Sequence, residues 1–116
     1  MELNRIKGKI AFISGASSGI GKAVAEKLAQ MGVNLILCAR RAEVLTELKT
    51  QLEKEHAIEV ITLAFDVRNY QEVAKNIQSL PKKWRQIDML INNAGLAIGL
   101  QHLHTYAIED IDQMID

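Results

Sequence analysis

The segment Ser14-Gly15-Ala16-Ser17-Ser18-Gly19-Ile20-Gly21 carries the clearest chemistry of this chain. It directly follows the apolar run Ile10-Ala11-Phe12-Ile13. After it, Ile20, Val24, Leu28 and Met31 recur at helical spacing. Strand, glycine turn and helix start therefore follow one another. A helix N-terminus presents N–H groups without intrahelical acceptors and a partial positive charge. Glycines let an anion approach those groups closely, so the loop reads as a cradle for phosphate or pyrophosphate. The spacing is Gly-x3-Gly-x-Gly, not the Gly-x-Gly-x2-Gly of the common dinucleotide fingerprint. The phosphate loop of nucleoside triphosphate hydrolases, Gly-x4-Gly-Lys-Ser/Thr, nearly fits at Gly21-Lys22. Ala16 stands where its first glycine belongs, and Ala23 where its hydroxyl belongs. Without that hydroxyl the usual Mg²⁺ ligand is missing. A dinucleotide is favoured over ATP or GTP.

A second feature lies at Cys38-Ala39-Arg40-Arg41, after the apolar run Val33–Cys38. Sites that prefer NAD commonly place an acidic residue about 20 residues beyond the glycines, where it binds the ribose 2′-hydroxyl. Here there is no carboxylate and there are two guanidinium groups. Arginine binds phosphate bidentately and can stack on an adenine face. A plainer reading leaves both arginines exposed at a helix start. Cations are disfavoured there unless an anion is present. NADP(H) is therefore expected rather than NAD(H).

These groups need elements to hold them. Four apolar runs, Ile10–Ile13, Val33–Cys38, Val60–Phe65 and Ile87–Ile91, alternate with helix-like stretches. The runs lack strict polar alternation, as strands buried on both faces do. Gly32 is placed to end the first helix. The second helix carries the stripe Val44, Leu45, Leu48 and Leu52. Its polar face, Glu43, Glu47, Lys49, Glu53 and Lys54, reads as an ordinary solvated surface. The third repeats the pattern at Val73, Ile77 and Leu80 until Pro81 stops it. Asn69 is a suitable N-cap, with Glu72 at the capping-box position. A further helix is expected from about Ala107. The order βαβαβαβ predicts an α/β fold, a doubly wound parallel sheet of strand order 3-2-1-4. The ligand crevice should then lie beside strands 1 and 4, where the order reverses.

Composition narrows the classes. The chain has 116 residues, suited to one domain, with 14 basic and 14 acidic side chains and a formal net charge of zero. No basic excess points to nucleic acid or to an anionic membrane. The one cysteine, Cys38, sits in an apolar run, so no internal disulfide forms and a buried inert thiol is expected. His102, His104 and Asp110 lack a convergent third ligand, so no metal site is assigned. Trp84 reads as a packing anchor before the fourth strand. The first residues have no apolar leader and no apolar run is long enough to span a bilayer, so a cytoplasmic location is expected.

Taken together the motifs resemble those of short-chain dehydrogenases/reductases. Ser14–Gly21 is similar to that family's Thr-Gly-x3-Gly-Ile-Gly motif, with Ser14 keeping the hydroxyl of the usual threonine. Asp66-Val67 matches its adenine-contact position, and Asn92-Asn93-Ala94-Gly95 its Asn-Asn-Ala-Gly motif. The resemblance spans essentially the whole chain and implies a Rossmann-type sheet. It implies that Gly15, Ser17, Ser18, Gly19, Ile20 and Gly21 hold the cofactor, with Ile20 near the nicotinamide. Asp66 would accept from the adenine amino group, and the Val67 N–H would meet a ring nitrogen. Asn92 would tie neighbouring strands together. Asn93, Ala94 and Gly95 would line the adenosine ribose and the way to the nicotinamide. Arg40 and Arg41 would meet the extra phosphate of NADP.

The family's chemistry also uses a serine and a Tyr-x3-Lys pair, which these residues do not supply. Tyr106 is followed by Ala107-Ile108-Glu109-Asp110, and Ala74 stands four residues after Tyr70. Family members run to roughly twice this length as one domain. Residues 1–116 are thus expected to be the N-terminal, dinucleotide-binding half of such a domain, truncated after about four strands and inactive alone. The complete protein would be a homo-oligomer, dimer or tetramer, acting on a small-molecule substrate. Leu80-Pro81-Lys82-Lys83-Trp84-Arg85-Gln86-Ile87-Asp88, with Asn92–Gly99, resembles the branch acting on serine and other short 3-hydroxy acids. The alternative is a non-catalytic dinucleotide-binding module or an inactive fragment.

Overall fold

Side chains along each strand divide between two helical layers, and that division is what the apolar runs encode. In a computed structural model that describes residues 6–66 and 69–92, β1 (Ile10–Ser14), β2 (Asn34–Ala39), β3 (Val60–Ala64) and β4 (Met89–Asn92) form one parallel sheet of order β3-β2-β1-β4. Ala11 and Ile13 of β1, with Leu35 and Leu37 of β2, pack against α1 (Gly19–Gln30) and α2 (Ala42–Glu55) through Ala25, Ala29, Leu45, Leu48 and Leu52. Their neighbours Phe12, Ile36 and Cys38 face the other way. They meet α3 (Tyr70–Gln78) at Val73 and Ile77, and then Leu80, Trp84 and Ile87. Alternate residues feed opposite layers, as the pleat requires. Both faces are covered, as in other all-parallel sheets. Trp84 anchors the short 3-10 turn Lys82–Arg85 against the second layer and is 5% exposed, the packing role its position predicts.

Element ends follow local hydrogen bonds. The Val33 N–H donates to the Leu28 carbonyl, so that residue belongs to the exit of α1 and β2 starts at Asn34. Gly32 leaves the helix at φ +81°, the left-handed turn for which glycine is suited. β4 begins at Met89 rather than Ile87. Asp88 before it is fixed twice to Ile10: its N–H donates to the Ile10 carbonyl at 2.8 Å, and its Oδ2 accepts from the Ile10 N–H at 2.9 Å. Asn69 caps α3, its Oδ1 accepting from the Glu72 N–H at 3.1 Å. The reciprocal half of the capping box is replaced. The Asn69 N–H goes to the Asp66 carbonyl, and the Glu72 carboxylate accepts from Asn76 Nδ2. The helix expected from Ala107 lies outside the described residues, as do His102, His104 and Asp110. Among the described residues no helix is long and apolar enough to cross a membrane, and none of the His, Cys, Asp and Glu side chains cluster as a metal site would need.

Candidate dinucleotide-binding site

All four strands are parallel, so their C-terminal ends share one edge of the sheet. The register sets Ser14 of β1 beside Cys38 of β2 and Asn92 of β4. Three chain segments are thereby brought together: the glycine turn after β1, Arg40-Arg41 after β2 and Phe65-Asp66 after β3. The crevice expected beside strands 1 and 4 would open at this edge.

The three glycines do different work. Gly15 turns the chain out of β1 at φ +65°. Ser18 caps α1: its Oγ accepts from the Gly21 N–H at 3.0 Å and donates to the Gly15 carbonyl at 2.9 Å. That hydroxyl shapes the turn from within. Gly21 is buried against the same turn. A Cβ there would overlap the Gly15 carbonyl oxygen and lie 2.9 Å from Ala16 Cα. Gly21 therefore permits the helix to sit close to the strand end. Gly19 differs, because a Cβ at that position meets nothing within 4 Å. The space in front of it is open, at the start of a 12-residue helix. Among the described residues the N–H groups of Gly19 and Ile20 find no acceptor. They are the donors an anion would meet. Ser17 is half-buried beside them, and Ile20 is 71% exposed, a large apolar side chain left in water at the mouth of the turn. The turn thus combines a glycine-lined approach, N–H groups unpaired among the described residues and the positive end of a helix, the features an anion site uses.

Around it the strand ends are cross-tied. The Ala16 N–H donates to the Cys38 carbonyl at 3.1 Å, and the Phe65 N–H donates to the Ala39 carbonyl at 3.0 Å. The end of β2 thus holds both the glycine turn and the chain leading to Asp66. Ser14, fully buried, donates from Oγ to Asn92 Oδ1 at 2.6 Å. This bond fastens β4 to β1, the tie that the resemblance assigned to Asn92. The part played by Ser14 was not visible in the motif. Its signal was a polar residue closing an otherwise apolar strand.

Arg40 and Arg41 are exposed and make no hydrogen bond or ion pair among the described residues. Arg41 occupies the N-cap position of α2 without capping it. Two unpaired cations beside an uncapped helix N-terminus are unfavourable neighbours that an anion would relieve. Val67, Asn93, Ala94 and Gly95 lie outside the described residues.

Cys38 lies under this edge. Burial pushes its thiol up to about 12 from an ordinary 9.0; the Asp66 charge adds to the rise, and a backbone hydrogen bond at Phe65 opposes it. The thiol is neutral at physiological pH and unreactive, since only the thiolate is a nucleophile. We expect no labelling of Cys38 by iodoacetamide in the folded protein at pH 8 and full labelling once urea unfolds it. Because the folded thiol holds its proton longer than the unfolded one, its contribution to stability is intact below pH 9 and falls between pH 9 and 12. Urea melts across that range measure the fall, and rapid labelling of the native protein would contradict the assignment.

Comparison with known proteins agrees with this geometry. Residues 9–116 match the short chain dehydrogenase family. A curated relative, NADP-dependent 3-hydroxy acid dehydrogenase of Schizosaccharomyces pombe, is 42% identical over 114 residues, covering 97% of this chain and 44% of that protein. The chain thus spans less than half the length of that relative. Among solved structures, L-sorbose reductase of Gluconobacter frateurii, complexed with NADPH and L-sorbose, superposes with a TM-score of 0.84 at 27% identity, over 93% of this chain and 49% of that one. Carveol dehydrogenase of Mycobacterium avium, in complex with NAD, shares the fold with a TM-score of 0.79 at 23% identity, over 92% of this chain and 50% of that one. With a glycine turn opening α1, a β3-β2-β1-β4 sheet and a family match running from just before β1 to Asp116, the chain belongs to the short chain dehydrogenase family.

Proposed function

We propose that this chain provides the NADP(H)-binding part of an oxidoreductase that moves hydride between the cofactor and a carbonyl or secondary alcohol of a small molecule. The bound nicotinamide would supply the hydride chemistry; the residues here bind and orient it. The Gly19 and Ile20 N–H groups would meet the pyrophosphate, with Ser17 beside them. Ile20 would cover the nicotinamide side, and Asp66 with Val67 the adenine. Asn93, Ala94 and Gly95 would line the ribose. Ser18 and Gly21 would act by keeping the turn in shape. A short 3-hydroxy acid is the substrate class we favour, on the similarity to a 3-hydroxy acid dehydrogenase and on the resemblance of Leu80–Asp88 to that branch. A cytoplasmic homo-oligomer completes the reading.

The observation that carries the choice of NADP(H) is the pair Arg40 and Arg41, unpaired and exposed, with no carboxylate at the end of β2. The 2′-phosphate is the group that distinguishes the two cofactors, and guanidinium is its natural partner. Arg40→Asp is expected to weaken NADPH by about 10–100-fold, the loss of a charge-assisted contact to phosphate. NADH should change by less than about threefold, since its 2′-hydroxyl carries no charge for Arg40 to meet. Titration of cofactor fluorescence reads both. Equal weakening of the two, or a wild type that prefers NADH, would refute the assignment.

A further inference from the structure

Among the described residues β3 is an outer strand of the sheet. On its inner side the Leu35 N–H donates to the Glu59 carbonyl and the Phe65 N–H to the Ala39 carbonyl. With Leu35 beside Val60 and Ala39 beside Ala64, the odd-numbered residues turn their peptide groups towards β2. Val60, Thr62 and Ala64 turn theirs outward, where another strand could pair. At Val60 both outward groups are already taken by α2. Lys49 Nζ donates to the Val60 carbonyl at 2.7 Å, and the Val60 N–H donates to Glu53 Oε2 at 2.9 Å. The two side chains stand one helical turn apart, Nζ to Oε2 3.8 Å. Thr62 and Ala64 have no such partners among the described residues.

We propose that Lys49 and Glu53 lock this edge against a second copy of the chain adding its own β3 there. The segment Val60-Ile61-Thr62-Leu63-Ala64-Phe65 is uncharged and rich in strand formers, the composition that pairs with itself when exposed. A twofold antiparallel pairing centred on Thr62 would set Val60 of each copy opposite Ala64 of the other. Occupying Val60 therefore removes both ends of that ladder and leaves only the central pair. An approaching strand would also have to displace and desolvate two charged groups. The polar face of α2 is in this respect more than a solvated surface: two of its charged residues are spent on a neighbouring strand.

The test is the double variant K49A/E53A in the full chain, followed by sedimentation velocity. We expect species larger than those of the wild type, appearing at about tenfold lower concentration, as loss of two charge-assisted contacts at the edge would give. In those species the Thr62 and Ala64 amides should exchange at least about tenfold more slowly than in the wild type, because the new ladder protects them. Adding T62P removes the N–H at the centre of the pairing and should restore the wild-type distribution. Three results would overturn the proposal. The double variant could sediment as the wild type does across the same concentrations. It could assemble while the Thr62 and Ala64 amides exchange as before, which is aggregation through unfolding. Or a folded triple variant could still assemble. Should T62P fail to fold, the exchange rates alone decide.

Discussion

Gly19→Val is expected to keep the fold and lose the cofactor, whereas Gly21→Val is expected to lose much of the fold itself. At Gly19 a side chain would enter open space, so nothing in the protein resists it. The residue opens α1 with ordinary backbone angles, and valine is no poorer a helix former than the glycine it replaces. That open space is where the pyrophosphate would lie against the Gly19 and Ile20 N–H groups. We expect NADPH affinity to fall by about 100-fold or more, with a melting temperature within about 3 °C of wild type. At Gly21 the added carbons would collide with the Gly15 carbonyl and with Ala16 Cα, both backbone atoms. Neither can swing aside as a flexible side chain would. The α1 start and the turn would have to separate, at a cost of about 2–3 kcal/mol, lowering the midpoint by about 10 °C. Thermal melts and fluorescence titrations on the two variants separate the roles. A Gly19→Val protein that binds NADPH normally would place the anion elsewhere. A Gly21→Val protein as stable as wild type would show that the turn and helix are less closely packed than described.

That contrast marks where sequence stops being informative. Spacing identifies a phosphate-binding turn because a strand, three glycines and a helical stripe leave few other arrangements. It cannot distinguish the glycines from one another. Their difference lies in what faces each missing Cβ, and Gly15 faces Gly21 only after β1 and α1 have packed. Strand order was legible for a similar reason: apolar runs separated by helices admit few right-handed windings. Strand ends were less so. Ile87 is as apolar as a strand residue and is buried, yet the pairing begins at Met89 because Asp88 is held by Ile10. Long-range partners of this kind leave little local trace. Ser14 with Asn92, 78 positions apart, shows in sequence only as a polar residue closing an apolar strand, and Lys49 with Val60 does not show at all. Lys49 and Glu53 have the composition of any exposed helix face. Only the position of β3 beneath them turns two solvated charges into hydrogen-bond partners of a strand. Arg40 and Arg41 lie at the other extreme. Their place after a strand and the missing carboxylate were legible, and the structure adds that both are exposed and without a partner among the described residues.

The 116 residues on their own are expected to show no NADP-linked turnover of any alcohol or carbonyl compound while still binding NADPH. Binding asks for the glycine turn, the free N–H groups of α1 and the guanidinium pair, and all three belong to residues described here. Turnover asks in addition for a group that gives or takes a proton at the substrate oxygen. Such a group must have a pKa matched to its task, set by burial or a neighbouring charge. The Cys38 thiol is driven the wrong way, up to about 12, and lies buried beneath the site. Asp66 is proposed to meet the adenine end, away from where hydride would pass. Tyr70 and Tyr106 lack a lysine four residues on, so no tyrosine in the chain has the cation that would lower its pKa in this family's manner. Without a proton-transfer group a bound cofactor has a hydride to give and no partner step to complete, and general acid–base assistance is commonly worth 100-fold to 10,000-fold, roughly. The assay is NADPH consumption with short 3-oxo acids and simple ketones, alongside fluorescence titration on the same preparation. Binding without turnover separates cofactor recognition from catalysis and supports the division of labour argued here. Turnover by these residues alone would mean that one of them serves as the acid. Absence of binding in a folded sample would remove the dinucleotide site itself, because every donor assigned to the pyrophosphate is already in place at the start of α1.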